Sequence, residues 1–302
     1  TLRKNLNPKV YLVQGLKFNL ALICHSLNMT VISGCHNINS DGAKILRSLK
    51  EPSRMITVEI DLLRQDTIAT AASLLSELVS CQGYEFTALV NNAGIMCFGE
   101  FEWQTRELFE KQIQVNLLGT MNITKELLPL IRHHRGRIIN VTSHCGLQSL
   151  AGLAPYSASK AGLRFWNDSL RVEMVKYGVH VINFIPGSLV TETNICAGQK
   201  DATEKMWSAL NEEQKNFYDD YFKRYNSYLE SFSIYKKPII IGQKQLLDKF
   251  KLALLENKPQ HLYKVEPWRY TFYFMAFRIF PTTLVDWFTE KFLGMPAFKV
   301  KN

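Results

Sequence analysis

A chain of 302 residues, 46% hydrophobic and 21% charged, can bury a large core and suits one α/β domain with an extension better than two equal domains. Its net charge of +9 is spread without blocks of like charge and has no nucleic-acid-binding motif beside it, so nucleic acid is set aside as a partner. The six cysteines stand singly, with no CxxC pair and no zinc spacing, which argues for a reducing compartment and against a structural metal.

Short β-branched runs alternate with amphipathic stretches of helical length through the first two thirds of the chain. That alternation predicts a doubly wound, Rossmann-like parallel sheet with helices on both faces, followed by a helical C-terminal extension. Strands are expected at "KVYLV", "MTVISG", "MITVEI", "ALVNNAG", "GRIINVTS" and "VHVINFIPG", and helices at about 19–27, 41–49, 66–80, 102–131 and 156–176. The alternation ends near residue 195, so residues 1–195 are expected to form the sheet core and 196–302 an extension of the same domain. In such a sheet the ligand crevice lies at the carboxyl ends of the strands, so function is sought there.

Four features fall at those ends: Asp61, "NNAG" (91–94), Ser143 and "PGSLVT" (186–191). Asn116 sits mid-helix between two of them, and Tyr156 with Lys160 opens the next helix. A tyrosine and a lysine four residues apart share one helix face. A phenol has a pKa near ~10, so serving near neutral pH means stabilising its anion by about 4 kcal/mol, to which a neighbouring ammonium contributes. Tyr156 could then take a proton from a hydroxyl or give one to a carbonyl.

"NNAG", Asn116, Ser143 thirteen residues before Tyr156, "YSASK" and "PGSLVT", in that order, resemble the short-chain dehydrogenase/reductase family over about residues 8–195. The resemblance implies a nicotinamide cofactor and catalysis by Asn116, Ser143, Tyr156 and Lys160. Ser143 would hold the substrate oxygen, and Asn116 would position a water on a proton path from Lys160. It also implies cofactor contacts from Gly15, Asp61, Asn91, Ala93, Gly94, Tyr156, Lys160, Pro186, Gly187 and Thr191. Asp61 would meet the adenine amino group, and Thr191 the carboxamide.

The family's opening TGxxxGxG is altered here to "QGLKFNLA": Gln14 stands for Thr, and Asn19 and Ala21 for two glycines. Those glycines serve a tight turn and close approach of the pyrophosphate, so the dinucleotide is held in an altered way or weakly; a non-catalytic binding protein is the alternative. After the second strand Cys35, His36 and Asn37 offer no cation for a 2′-phosphate, which favours NAD while leaving NADP open.

Beyond the core, Asn211 before Glu212, Glu213 and Gln214 predicts a helix start, and Phe217, Tyr221 and Tyr225 recur at helical spacing. The stripe reads as core packing or as a lid over an apolar substrate. "TVISGCHNINSDGAKIL", "DSLRVEM" and "FPTTLVDWF" resemble the branch holding retinol, type 2 hydroxysteroid and 3-hydroxybutyrate dehydrogenases. This implies a lipophilic alcohol or ketone, a steroid foremost and with it steroid-hormone (ecdysteroid) synthesis. A small hydroxy acid would call for a cation in the lid, where Lys200, Lys205, Lys215, Lys223 and Arg224 are candidates.

No apolar run reaches the ~18 residues of a membrane span. The aromatic stretch 268–293, broken by Arg269, Arg278, Pro281 and Asp286, reads as paired helices covering a pocket or a second subunit of a homodimer. It reads equally as a peripheral membrane contact, with the endoplasmic reticulum expected and the cytoplasm or mitochondrion as alternatives.

Overall fold

The computed structural model describes residues 8–14, 18–49, 51–187, 193–230, 243–266 and 268–298. Gly15 and Thr191, two of the expected cofactor contacts, lie outside them. Six strands occur where the β-branched runs predict them: β1 (Lys9–Gln14), β2 (Thr30–Cys35), β3 (Met55–Glu59), β4 (Glu85–Asn91), β5 (Arg137–Val141) and β6 (His180–Ile185). A seventh, β7 (Leu262–Lys264), completes the all-parallel order β3-β2-β1-β4-β5-β6-β7. It has only three residues, too few for a period-2 pattern to show in the sequence.

Side-chain alternation along the central strands feeds two cores. In β1, Val10 and Leu12 face α3 (Gln65–Gln82), α5 (Thr120–His133) and α6 (Ala154–Met174). Tyr11 and Val13 face α1 (Phe18–Ser26), α2 (Asp41–Arg47) and α9 (Lys244–Leu255) on the opposite side. Strand order reverses between β1 and β4, which places the crevice above their carboxyl ends.

At the carboxyl end of the sheet, Gln14, Asn91, Asn140 and Asn183 stand in register on four adjacent strands. Gln14 Nε2 donates to Asn91 Oδ1 at 2.6 Å, Asn91 Nδ2 to Asn140 Oδ1 at 2.7 Å, and Asn140 Nδ2 to Asn167 Oδ1 of α6 at 2.7 Å. This buried row ties the first strand to the helix that carries Tyr156 and Lys160. Gln14 therefore has a packing role of its own.

The long helix expected over 102–131 is divided. α4 (Arg106–Ile113) passes into a π-helical turn at Gln114–Gly119 before α5. The C-terminal part adds α7 (Gln199–Ala209), α8 (Glu212–Glu230), α10 (Trp268–Ile279) and α11 (Thr282–Leu293). α8 begins with a capping box: Gln214 N donates to Asn211 Oδ1 at 2.9 Å, and Asn211 N to Gln214 Oε1 at 3.0 Å. Trp103, fully buried, meets the rings of Tyr218, Tyr221, Phe222 and Tyr225 at 4.9–5.5 Å and fixes α8 on the loop after β4.

Candidate active site

The expected residues come together from β4, β5, the π turn and α6. Pro155 in the first turn of α6 suits a helix start, and Tyr156 and Lys160 follow, both buried. Lys160 Nζ donates to the Val141 carbonyl at 3.0 Å and lies 6.0 Å from the centroid of the Tyr156 ring. Burial pushes the Tyr156 phenol up from its ordinary value, the Cys145 thiol adds to this, and a hydrogen bond with Ser143 pulls it down. Burial is thus the largest influence on the phenol in the protein by itself, while the Lys160 ammonium is anchored on the carbonyl that ends β5.

Ser143 follows β5 in extended conformation and starts a 3-10 turn, His144–Gly146, with its Oγ accepting from Cys145 N at 3.1 Å. Asn116 lies in the π turn, a local widening frequent at functional sites. Its Oδ1 accepts from Ile95 N at 2.8 Å, and its Nδ2 donates to Ile95 O at 2.9 Å and to Ser159 Oγ at 3.0 Å. Both amide hydrogens are therefore spent on protein groups, so the side chain clamps the loop after "NNAG" to α6.

Gly94 explains itself by contact: a Cβ there would stand 3.3 Å from Asn116 Oδ1 and 3.4 Å from Lys160 Nζ. Ala93 packs half-buried against the core beside it. Asn91 does not face the crevice with a free amide, since Gln14, Thr124 and Asn140 engage it inside the sheet. Pro186 is buried, and Gly187, at φ +85°, lies so close to the edge strand that a Cβ would be 2.7 Å from Val265 O. At the far end of the crevice Asp61 Oδ1 accepts from Leu63 N at 3.0 Å and is 3.8 Å from His36 Nδ1.

Two polar side chains not named among the expected contacts, one of them inside "NNAG", stand at the strand ends. Asn92, one past β4, has both side-chain polar atoms buried without a protein partner, and Thr142, one past β5, has an unpartnered buried Oγ1. Standing at the carboxyl ends of adjacent strands with Asp61 and the close-packed Gly94, these groups fit a ligand rich in hydrogen-bonding groups, as a dinucleotide is. Among the described residues no cluster of His, Cys, Asp or Glu could hold a metal ion.

The model of the short chain dehydrogenase family matches residues 12–202. The chain belongs to that family. As a short-chain dehydrogenase it is an NAD- or NADP-dependent oxidoreductase acting on CH–OH groups. It is 33% identical to mitochondrial D-beta-hydroxybutyrate dehydrogenase of Bos taurus over 75% of this chain and 68% of that protein. It is 33% identical to retinol dehydrogenase 7 of Mus musculus over 85% and 79%, and 32% identical to mouse 17-beta-hydroxysteroid dehydrogenase type 6 over 89% and 82%. A short-chain dehydrogenase of Streptomyces avermitilis shares the fold at 20% identity, with TM-score 0.67 over 95% of this chain and 98% of that one. One from Burkholderia cenocepacia, solved in complex with NADP, does so with TM-score 0.62 at 20% identity over the same shares.

Proposed function

We propose that this short-chain dehydrogenase interconverts a hydroxyl and a carbonyl on a lipophilic substrate, a steroid foremost and a retinoid next, with NAD preferred. The observation that carries the reading is what surrounds Tyr156: Met96, Cys97, Phe98, Leu153, Cys196, Met206, Tyr221 and Tyr225 form one buried cluster with it. The cysteines beside it are neutral at working pH, since burial pushes Cys97 and Cys196 up to about 12. The cations that a small hydroxy acid would want are turned elsewhere. Lys205, Lys215, Lys223 and Arg224 pair with Glu107, Glu212, Asp219 and Asp220, and Lys200 is exposed.

In the proposed chemistry Tyr156 Oη gives a proton to the carbonyl oxygen or takes one from the hydroxyl, and Ser143 Oγ holds that oxygen. Lys160, anchored on Val141 O, keeps positive charge near the phenol, and Asn116 keeps the "NNAG" loop against α6. The nicotinamide, when bound, supplies or accepts the hydride. Asn92, Thr142, Gly94 and Asp61 would hold the dinucleotide. At the end of β2 the run Cys35, His36, Asn37 holds no lysine or arginine for a 2′-phosphate, which supports NAD.

Among the described residues no helix is long and apolar enough to cross a membrane. Phe272, Met275 and Ile279 on α10 and Trp287 on α11 are nevertheless exposed, which supports peripheral lipid contact through 268–293. Phe165 and Val172, exposed on one side of α6, support a homodimer. The test is turnover of retinol, a 17-beta-hydroxysteroid and D-beta-hydroxybutyrate with NAD and with NADP. A kcat/KM at least about a hundredfold higher for one of the two lipophilic alcohols is expected; preference for the hydroxy acid sinks the reading.

A further inference from the structure

The turn that begins at Ser143 is held from two sides. On one side Gly146 lies so near α6 that a Cβ would stand 2.7 Å from the Lys160 carbonyl oxygen. On the other, His144 Nε2 is 2.8 Å from Glu266 Oε2, and the imidazole stacks on Tyr270 of α10, centroids 5.6 Å apart at 22°. Glu266 comes just after β7, whose pairing is extended by Val265 N donating to Ile185 O at 2.8 Å. The contact thus joins the Ser143 turn to the edge of the sheet beside Pro186 and Gly187.

A carboxylate only 10% exposed is costly unless hydrogen-bonded, so the pairing is a built feature. Lys264 Nζ, 3.7 Å from Glu266 Oε1, helps to balance its charge. Burial pushes His144 below its ordinary pKa, against the upward pull of Glu266 and with the downward push of Lys264. At 2.8 Å from the carboxylate oxygen, which can only accept, Nε2 is the donor of the pair. Ser143 Oγ accepts from Cys145 N and is hydrogen-bonded with Tyr156, so its direction follows the shape of the turn as well as the phenol, and His144 ties that turn to Glu266.

We propose that His144 and Glu266 are positioning residues which hold the Ser143 turn against the edge strand and so aim the Ser143 hydroxyl at the reacting oxygen. This rests on the reading of Ser143 given above. Neither residue touches the substrate; both act through the turn.

The test is NAD-linked oxidation of retinol and a 17-beta-hydroxysteroid by the full chain. His144→Phe, which keeps the stacking ring and loses the donor, and Glu266→Ala each lower kcat about ten-fold and leave the KM for NAD within about twofold. The double variant loses no more than either single one, as expected of a coupled pair. His144→Gln and Glu266→Gln, which keep a donor and an acceptor, recover kcat to within about threefold of native. Full kcat in His144→Phe, additive losses, or no recovery in a folded glutamine variant would overturn the proposal. Should Glu266→Ala not fold by circular dichroism, His144→Phe against His144→Gln decides it alone. Ser143→Ala run alongside separates the two readings. Full activity there defeats the role of Ser143, whereas loss there with an unaffected His144→Phe defeats only the positioning.

Discussion

Lys160 Nζ stands 6.0 Å from the centroid of the Tyr156 ring and donates at 3.0 Å to the carbonyl that ends β5. The two side chains share a face of α6, yet the ammonium is fixed by the strand. Because burial holds the phenol above its ordinary value, Tyr156 is protonated at neutral pH in the protein by itself, the form ready to give a proton to a carbonyl. Ultraviolet titration of native protein against Tyr156→Phe should show no phenolate from this residue up to pH ~10. Its sign is fixed: a raised phenol makes folding less favourable as pH climbs above the ordinary tyrosine value, so Tyr156→Phe should resist alkaline unfolding better than native protein.

Gly94→Ala places a methyl group 3.3 Å from Asn116 Oδ1 and 3.4 Å from Lys160 Nζ. Neither neighbour is free to retreat, since Asn116 is clamped to Ile95 and Lys160 to Val141. A fall in kcat of about ten-fold, with a melting temperature within a few degrees of native, is the expected result of kinetics and calorimetry.

The amide row across the sheet makes a stability prediction. Asn140→Leu deprives Asn91 Nδ2 and Asn167 Oδ1 of a partner in a fully buried setting. Urea unfolding should register a loss of about 2–4 kcal/mol, larger than the net worth of the bonds because the partners are left unsatisfied.

Trp103→Ala removes the ring on which four aromatic side chains converge. A loss of about 3–5 kcal/mol is expected, and hydrogen exchange should quicken first in α8.

Much of this was legible in the sequence, for identifiable reasons. The six longer strands show as β-branched runs, and the order "NNAG", Asn116, Ser143, "YSASK", "PGSLVT" places a site at their ends. The capping box at Asn211 and the buried Tyr221 and Tyr225 of the aromatic stripe also follow from local spacing, although Phe217 at its start is exposed. Three features did not show. β7 is too short to carry a pattern, and the π turn at Asn116 has no propensity signature. The contact of His144 with Glu266 joins residues 122 apart, which no local period encodes. The change to Gln14 reads in the sequence as loss of a motif, whereas in the fold its amide begins the buried row that ends on α6.

The central claim is that Tyr156 transfers the proton of a nicotinamide-linked reaction, and it is tested most directly by following nicotinamide absorbance with native protein and Tyr156→Phe on the same lipophilic alcohols. The account predicts turnover by native protein and a loss of at least about a thousandfold in kcat for Tyr156→Phe, with NAD binding retained by calorimetry. Equal rates for the two proteins, or a folded native chain that neither binds NAD nor turns over any of the alcohols, would contradict it.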